Sequence, residues 1–347
     1  MASPAEQTLL VTGANGFVAS HILKLALEKG YHVRGTVRSE SSAASVRAKF
    51  PEHSDKLSLA VGPDLTKPEL YAPAFAGTAK PITGVLHVAA NFTLKVDDNR
   101  RDLLDPAIGG ARGILEATAR YGRDVRRVVL TSSFAANIDL SKGARAGYTY
   151  TEADWNPVTY EQAAAPGVDG ATAYCASKAL AEKAMWDWAA EHKPPFDLVS
   201  INPPWIFGPH VGGLRDLARL NESTAALHAL IGAAEVPPPD YAGFADVRNV
   251  ADAHLAAFEK PEAGGQRFIV GLHFDYQSVV DSVRREVPEL RDRLPVGKPG
   301  KVPEMYELDG SKAERVLGIR YIPLERSMRD SFVQFVEAEQ ALAAASA

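Results

Sequence analysis

Short apolar runs alternate with amphipathic stretches through residues 8–203. The runs TLLVTG, YHVRGTV, LSLAVG, GVLHVAA, RRVVLTSS and FDLVSINP are typical of buried strands. Helical patterns fall between them: FVASHILKLALEKG, a polar helix from about Glu40, one over about 101–121 and one after Tyr174. This alternation predicts an α/β fold of the Rossmann type, a doubly wound parallel sheet with helices on both faces.

The pattern changes after Pro203, where Gly- and Pro-rich connections separate helical patterns at about 214–231 and 324–342. We therefore predict a Rossmann domain over 1–203, with a return segment at about 244–258, and a smaller C-terminal substrate-binding lobe over 204–347. The long irregular connection over 139–170 is expected to be functional or mobile.

Composition narrows the possible partners. The chain has 347 residues, of which 46% are hydrophobic and 23% charged, as in an ordinary globular protein. A net charge of -5 offers no basic surface for nucleic acid or anionic lipid, so a small-molecule partner is expected, with no nucleic acid and no membrane.

The predicted location is cytoplasmic, because the single cysteine cannot form an internal disulfide and neither a signal peptide nor a bilayer-spanning apolar run is evident. No His, Cys or carboxylate cluster has metal-site spacing, so no metal is expected. The sequence allows either a monomer or a homodimer, because the helices at about 101–121 and 174–191 either pair two subunits or face water.

The first predicted strand runs into TGANGFVAS, with Gly13, Gly16 and Ala19 at the strand-to-helix junction. Gly13 permits a tight turn, Gly16 lets backbone N–H groups approach a pyrophosphate, and Ala19 allows close packing of helix on strand. The helix N-terminus adds a partial positive charge. The position of the motif predicts dinucleotide binding, although glycines also occur in turns that bind nothing.

The end of the second predicted strand indicates which dinucleotide is bound. NAD sites usually carry an acidic residue there, whereas NADP sites use an Arg for the 2′-phosphate. Here the strand ends on Arg38, beside Ser39, Ser41 and Ser42. A guanidinium with hydroxyl donors suits a phosphate dianion, so NADPH is favoured over NADH despite Glu40.

Tyr174 lies four residues before Lys178 in a predicted helix, so both side chains share one face. A tyrosine with a pKa of about 10 must be shifted to act as an acid or base near neutrality. A unit charge at about 5 Å contributes on the order of 3 kcal/mol, which is sufficient. Ser133 ends a buried strand at the carboxyl edge of the sheet and is placed to hold a substrate carbonyl oxygen. The alternative is an exposed tyrosine beside a solvated lysine.

The motifs TGANGFVAS, TVR, HVAA, TSS, YCASK, NPPWIFGP and DVRNVADAH occur in that order along nearly the whole chain. Together they resemble the extended short-chain dehydrogenases/reductases, in particular the dihydroflavonol-reductase-like and fungal carbonyl (aldehyde) reductase branch. The resemblance implies that Tyr174 is the general acid, Lys178 modulates its pKa and binds the nicotinamide ribose, and Ser133 holds the carbonyl.

The same resemblance implies a set of cofactor contacts in addition to Tyr174 and Lys178. They are Gly13, Asn15, Gly16, Phe17, Val18, Arg38, Asp64, Leu65, Val88, Ala89, Ala90, Pro203, Trp205 and Ile206. For the substrate pocket we select Phe92, Phe134 and Trp205, whereas Leu94 and Tyr241 are treated as core.

Four positions depart from the family pattern or are set aside. A second phosphate-binding lysine is missing after Arg38, leaving Arg47 as a substitute, and Ile138 stands where plant dihydroflavonol reductases carry an Asn, which makes a flavonoid substrate doubtful. Cys175 is interpreted as an apolar filler and His87 as a hydrogen-bonded core histidine.

The sequence thus predicts NADPH-dependent reduction of an aldehyde or ketone to an alcohol, with a small-molecule carbonyl substrate. Two alternatives stay open. Sugar-nucleotide epimerases and dehydratases share the fold, but they usually have an acidic residue at the Arg38 position, and the dehydratases have Asp and Glu after the active-site Thr; here Ser132 and Ser133 follow Thr131. A non-catalytic NADP-sensing protein would not need the tyrosine and lysine pair.

Overall fold

The structure is a computed structural model that describes residues 2–62, 64–90, 96–214 and 216–346. Its strands are β1 (Thr8–Thr12), β2 (His32–Val37), β3 (Leu57–Val61), β4 (Ile82–His87), β5 (Arg127–Thr131), β6 (Thr149–Tyr150), β7 (Asp197–Asn202), β8 (Trp205–Phe207), β9 (Gly243–Asp246), β10 (Gln266–Ile269), β11 (Leu272–His273) and β12 (Glu307–Leu308). Its α-helices are α1 (Phe17–Glu28), α2 (Glu40–Lys49), α3 (Ala72–Phe75), α4 (Asp105–Tyr121), α5 (Tyr160–Ala163), α6 (Gly170–His192), α7 (Glu222–His228), α8 (Val247–Glu259), α9 (Tyr276–Glu286) and α10 (Leu324–Ser346).

The main sheet has seven strands in the order β10-β7-β5-β4-β1-β2-β3, and every neighbouring pair is parallel. Its central strands are mostly buried; all five residues of β1 are buried, for example. Strands of this kind need helices on both faces. The helices α1 and α8 pack together on one face, and α4 and α6 on the other. The predicted Rossmann-type doubly wound sheet is therefore confirmed.

The chain after residue 203 contributes to both parts of the molecule. A second sheet, in the order β11-β9-β8, and the helices α7, α9 and α10 enclose a separate apolar core that includes Phe207, Phe244 and Phe332. Within the predicted return segment, α8 packs against α1. A later segment also joins the main sheet, because β10 pairs with β7 at its edge.

Helix boundaries depend on local capping. The Asp169 carboxylate accepts hydrogen bonds from the backbone N–H groups of Ala171 and Thr172, so α6 begins at Gly170, four residues before Tyr174. Gly30 follows α1 with φ +96, the left-handed conformation expected just after a helix end. The predicted helix over 214–231 is wrong at its start: α7 begins only after Asn221, whose extended backbone interrupts the helical pattern.

Candidate active site

A cavity of about 1100 Å³ opens at the carboxyl edge of the main sheet. This exceeds the range of roughly 300–1,000 Å³ that is usual for small-ligand pockets. Among the described residues it is lined by Gly13, Asn15, Gly16, Phe17, Val18, Thr36, Val37, Arg38, Asp64, Leu65, Thr66, Val88, Ala89, Ala90, Arg101, Asp102, Pro106, Ser133, Phe134, Ala135, Ala171, Tyr174, Pro204, Trp205, Ile206, Asn221, Glu222, Ser223 and Tyr241.

The turn formed by Gly13 and Gly16 lets a ligand come close to the protein backbone. Gly13 has φ +68, and a Cβ there would lie 3.1 Å from Ala89, which lines the same cavity. Gly16 is the N-cap of α1 and caps it without a side chain, so the first N–H groups of the helix have no side-chain acceptor. Such an open helix N-terminus suits the pyrophosphate of a dinucleotide.

Arg38 lies on the cavity wall with its side chain exposed. Its guanidinium forms no hydrogen bond or ion pair with the described part of the chain. The neighbouring Ser39 is the N-cap of α2 and accepts a hydrogen bond from the Ser42 N–H. Arg47, the substitute considered for a missing lysine, is exposed on α2 and does not line the cavity.

Ser133 and Tyr174 meet at the wall of the cavity, where a hydrogen bond joins their side chains. The Ser133 Oγ also accepts from the Ala135 N–H at 3.1 Å and donates to the Pro203 carbonyl at 3.4 Å. The pKa of Tyr174 is raised by burial, whereas the hydrogen bond with Ser133 opposes this shift. The phenol is therefore protonated at neutral pH, the form that a proton donor requires.

Lys178 lies one helical turn beyond Tyr174 on α6 and is half-buried, behind the lining residues. Burial lowers the pKa of Lys178 to about 8, although the Glu182 carboxylate acts in the opposite direction. The pKa of Tyr174 is thus raised, chiefly by burial, whereas the sequence predicts a lowering by the lysine charge.

Two further residues predicted at the site, Pro203 and Phe134, are not placed as the sequence predicts. Pro203 is buried and does not line the cavity, because its carbonyl accepts the Phe134 N–H at 2.8 Å; its neighbour Pro204 lines the cavity instead. Phe134 borders the cavity, yet its side chain is fully buried and packs against the rings of Tyr150 and Tyr306. The predicted pocket residue Phe92, like Leu94, lies outside the described residues.

Tyr241 lines the cavity, although the sequence analysis treated it as core. Its ring packs edge-on against Trp205 at 6.1 Å, and its hydroxyl lies 3.1 Å from the Cys175 Sγ. The Asp240 carboxylate accepts a hydrogen bond from the Trp205 indole N–H at 3.3 Å. No motif adjoins Tyr241, so only the fold could place it here.

Two other side chains match their sequence interpretation. His87 is buried and its Nδ1 lies 2.9 Å from the Thr12 Oγ1, so it is a hydrogen-bonded core histidine. Cys175 is fully buried. Groups of His, Cys, Asp and Glu able to hold a metal ion are absent from the described part of the chain. Among the described helices, none combines the length and apolarity needed to cross a bilayer.

Comparison with known proteins identifies the family. Residues 9–271 match the model of the NAD dependent epimerase/dehydratase family. The chain belongs to this family, within the extended short-chain dehydrogenases/reductases. The resemblance drawn from the sequence motifs is therefore confirmed.

The relatives and solved structures extend over the full length of the chain. The NADPH-dependent methylglyoxal reductase of Saccharomyces cerevisiae is 37% identical over 342 residues, which cover 96% of this chain and 99% of that protein. A ketoreductase of Aspergillus niger is 37% identical over 347 residues, covering 97% and 99%. The crystal structure of the yeast methylglyoxal/isovaleraldehyde reductase complexed with NADPH superposes with a TM-score of 0.87 at 36% identity, covering 96% and 99%.

Proposed function

We propose that this protein is an NADPH-dependent carbonyl reductase that converts an aldehyde or ketone to an alcohol. The observation that carries the proposal is the hydrogen-bonded pair of Ser133 and Tyr174 at the wall of a cavity that also contains the glycine turn and Arg38. The similarity to NADPH-dependent reductases over the whole chain supports it.

The cavity fits a dinucleotide phosphate. In our proposal Gly13 and Gly16 bring the backbone close to the pyrophosphate, and Arg38 binds the 2′-phosphate with a guanidinium that pairs with none of the described residues. Asp64 and Leu65 contact the adenine, Val88–Ala90 lie along the cofactor, and the Trp205 and Ile206 side lies against the nicotinamide. When bound, the reduced nicotinamide supplies the hydride for the carbonyl carbon.

Each catalytic side chain has a separate role. The Ser133 hydroxyl donates a hydrogen bond to the carbonyl oxygen and orients it. The Tyr174 phenol donates its proton to that oxygen as negative charge develops there, so the product is a neutral alcohol. The Lys178 ammonium stabilises the phenolate that remains, until the phenol is protonated again from solvent.

The epimerases and dehydratases named in the family description are a weaker alternative. Arg38 stands where an acidic residue usually binds the NAD ribose, and Ser132 and Ser133 follow Thr131 where dehydratases carry Asp and Glu. A purely NADP-sensing role would not require the contact between Ser133 and Tyr174.

Several finer points stay predictions. We propose that the segment 139–170 and the lobe over 204–347 select the substrate, because loops on a rigid scaffold diversify specificity. A cytoplasmic location is supported by the single cysteine.

A carbonyl panel tests the proposal. Aromatic ketones, β-ketoesters, aliphatic aldehydes including methylglyoxal, and dihydroflavonols are each incubated with the enzyme and NADPH, and the loss of NADPH absorbance is followed. We expect turnover of at least one class and a loss of kcat of about a hundredfold or more in Tyr174→Phe, the usual scale of general acid catalysis, with NADPH binding retained. Wild-type turnover in Tyr174→Phe would contradict the assignment.

A further inference from the structure

Glu182 is a buried carboxylate on α6, four residues beyond Lys178, and its side chain is 0% exposed. A buried carboxylate is costly unless it is neutralised and fully hydrogen-bonded. Four side chains donate to it besides an arginine: Ser132 Oγ at 2.6 Å, Ser200 Oγ at 2.7 Å, Asn202 Nδ2 at 2.8 Å and Trp186 Nε1 at 3.2 Å. Burial would raise the pKa of Glu182, but the charge of the arginine and hydrogen bonds from that arginine, Ser132 and Ser200 hold it below its ordinary value.

The arginine is Arg267, which reaches Glu182 from β10. Its Nε lies 2.6 Å from the Glu182 Oε1, and its side chain is only 11% exposed. The guanidinium stacks on the Trp155 ring at 3.5 Å and donates to the Asp154 carbonyl at 3.0 Å. The ion pair is thus anchored both to the main sheet and to the irregular segment over 139–170.

The network of Glu182 continues to the backbone of Ser133. Ser132, which donates to Glu182, is the residue before Ser133. The Asn202 amide donates at 3.3 Å to the Ser133 carbonyl as well as to Glu182. One carboxylate therefore joins the ends of β5 and β7 to α6, the helix that carries Tyr174 and Lys178.

We propose that the Glu182–Arg267 ion pair is a positioning device for the reaction, which fixes Ser133 against Tyr174 and keeps Lys178 in place beside them. This inference rests on the proposed function. Neither residue of the pair lines the cavity, so both act through other groups rather than on the substrate. A buried ion pair is by itself weak evidence of added stability, and replacing such pairs with apolar residues is often neutral.

The carboxylate also acts on the charge of Lys178. Burial lowers the pKa of Lys178 to about 8, and Glu182 opposes that shift. On β4, His87 faces the lysine; its pKa is lowered to about 3 by burial and by the lysine charge, so it is neutral. Tyr174 lies on the same helix, and the Arg267 charge is paired with Glu182 at 2.6 Å. Removal of the carboxylate charge must therefore move the Lys178 pKa further down.

The test is Glu182→Gln, measured for NADPH affinity and for kcat between pH 6 and 10. A neutral amide keeps the size of the side chain but not its charge. We expect kcat to fall at least about tenfold while the Kd for NADPH changes less than about twofold, the split expected when geometry is lost only at the reacting atoms. The alkaline limb of the kcat profile should move down by about one pH unit, because the ammonium is then lost at lower pH.

A matched control exists at the other end of the same strands. Arg127, 5% exposed, pairs with Asp197 through contacts of 2.5 and 2.7 Å at the amino ends of β5 and β7. Asp197→Asn should lower the melting temperature without changing kcat or the alkaline limb. An equal loss of kcat in both variants would mean that any broken ion pair has this effect, and would overturn the proposal.

Three further variants keep the proposal falsifiable if Glu182→Gln does not fold. The double variant Glu182→Gln, Arg267→Met leaves no unpaired buried charge and should show the same changes in kcat and pH profile. Ser132→Ala removes a single donor and should lower kcat about threefold or more, consistent with one lost hydrogen bond to a charged group. Glu182→Asp keeps the charge, so its alkaline limb should stay at the wild-type pH even if kcat falls.

The outcomes separate the inference from the function on which it rests. If wild-type protein oxidises no NADPH with any carbonyl of the panel, the proposed function fails. If wild-type protein is active and the folded Glu182 variants keep its kcat and pH profile, the proposed function stands and the positioning role is refuted.

Discussion

Replacement of Arg38 tests the cofactor assignment with little risk to the fold. Its side chain is exposed, and its guanidinium forms no hydrogen bond or ion pair with the described residues. Surface substitutions away from such contacts usually change the free energy of unfolding by less than about 0.5 kcal/mol. A change in NADPH affinity can therefore be attributed to the lost contact with the cofactor.

The expected magnitude follows from the chemistry of one guanidinium on one phosphate. Hydrogen bonds to charged groups contribute about 1.5–3 kcal/mol, and about 1.4 kcal/mol corresponds to a tenfold change in Kd. Arg38→Ala should therefore weaken NADPH binding by about ten- to a hundredfold. NADH lacks the 2′-phosphate, so its Kd should change less than about twofold. Arg38→Asp adds repulsion between the carboxylate and the phosphate and should favour NADH further.

The assay is a fluorescence titration of each variant with NADPH and with NADH, at low and at high salt. Screening weakens exposed ion pairs, so the difference between wild type and Arg38→Ala should shrink as salt rises. Arg47→Ala is the matched control, because Arg47 is exposed on α2 but does not line the cavity. Unchanged NADPH affinity in Arg38→Ala, or equal losses for both cofactors, would refute the assignment.

Two predictions concern other parts of the molecule. His254 is 0% exposed, and its pKa is lowered by burial to about 4, below the value of about 6.5 in an unfolded chain. The contribution of neutral His254 to stability is therefore complete above pH 6.5 and is lost as the pH falls toward 4. The free energy of unfolding, measured in urea, should fall between pH 7 and 5, and this loss should be about 2 kcal/mol smaller in His254→Gln. An identical loss in both proteins would contradict this. Tyr241→Ala removes the aromatic partner of Trp205 and should raise the KM for aromatic ketones about three- to tenfold relative to a small aldehyde; equal changes for both substrates would show that Tyr241 does not contact the aromatic group.

The fold and the site residues that belong to sequence motifs could be predicted from the sequence, because both depend on local patterns. The apolar runs alternate with amphipathic helices, which is enough to specify a parallel sheet covered on both faces. Gly13 and Gly16 lie in a turn in which Gly13 has φ +68, a conformation that glycine adopts at no steric cost. Tyr174 and Lys178 share a helix face by spacing alone. Arg38 could be predicted because it comes at the end of the second predicted strand, where NADP sites carry an arginine.

Some helix boundaries could not be predicted from the apolar pattern. The pattern over 214–231 resembles one long helix, yet the described residues of this range form only the short α7 after Asn221. The start of α6 depends on the Asp169 cap rather than on apolar spacing. Local hydrogen bonds to individual side chains decide such boundaries, and periodicity does not report them.

The tertiary structure alone decided which distant residues meet. Tyr241 and Glu222 lie on the cavity wall because the C-terminal lobe folds over the edge of the main sheet, and no local motif marks either residue. Phe134 follows a recognised motif, but its ring turns into the core toward Tyr150. A contact between residues far apart in sequence is set by the packing of whole elements, which short-range patterns do not encode.

Glu182 shows most clearly the difference between what the sequence determines and what only the folded chain determines. By itself the sequence placed this carboxylate on a helix, four residues past Lys178, where a solvated surface position was the default. Only the assembled sheet brings Ser132 and Arg267 to it from strands well before and after it in the chain. A charged side chain can stay buried only where an opposite charge and hydrogen-bond donors or acceptors surround it. Only the folded molecule brings these groups together.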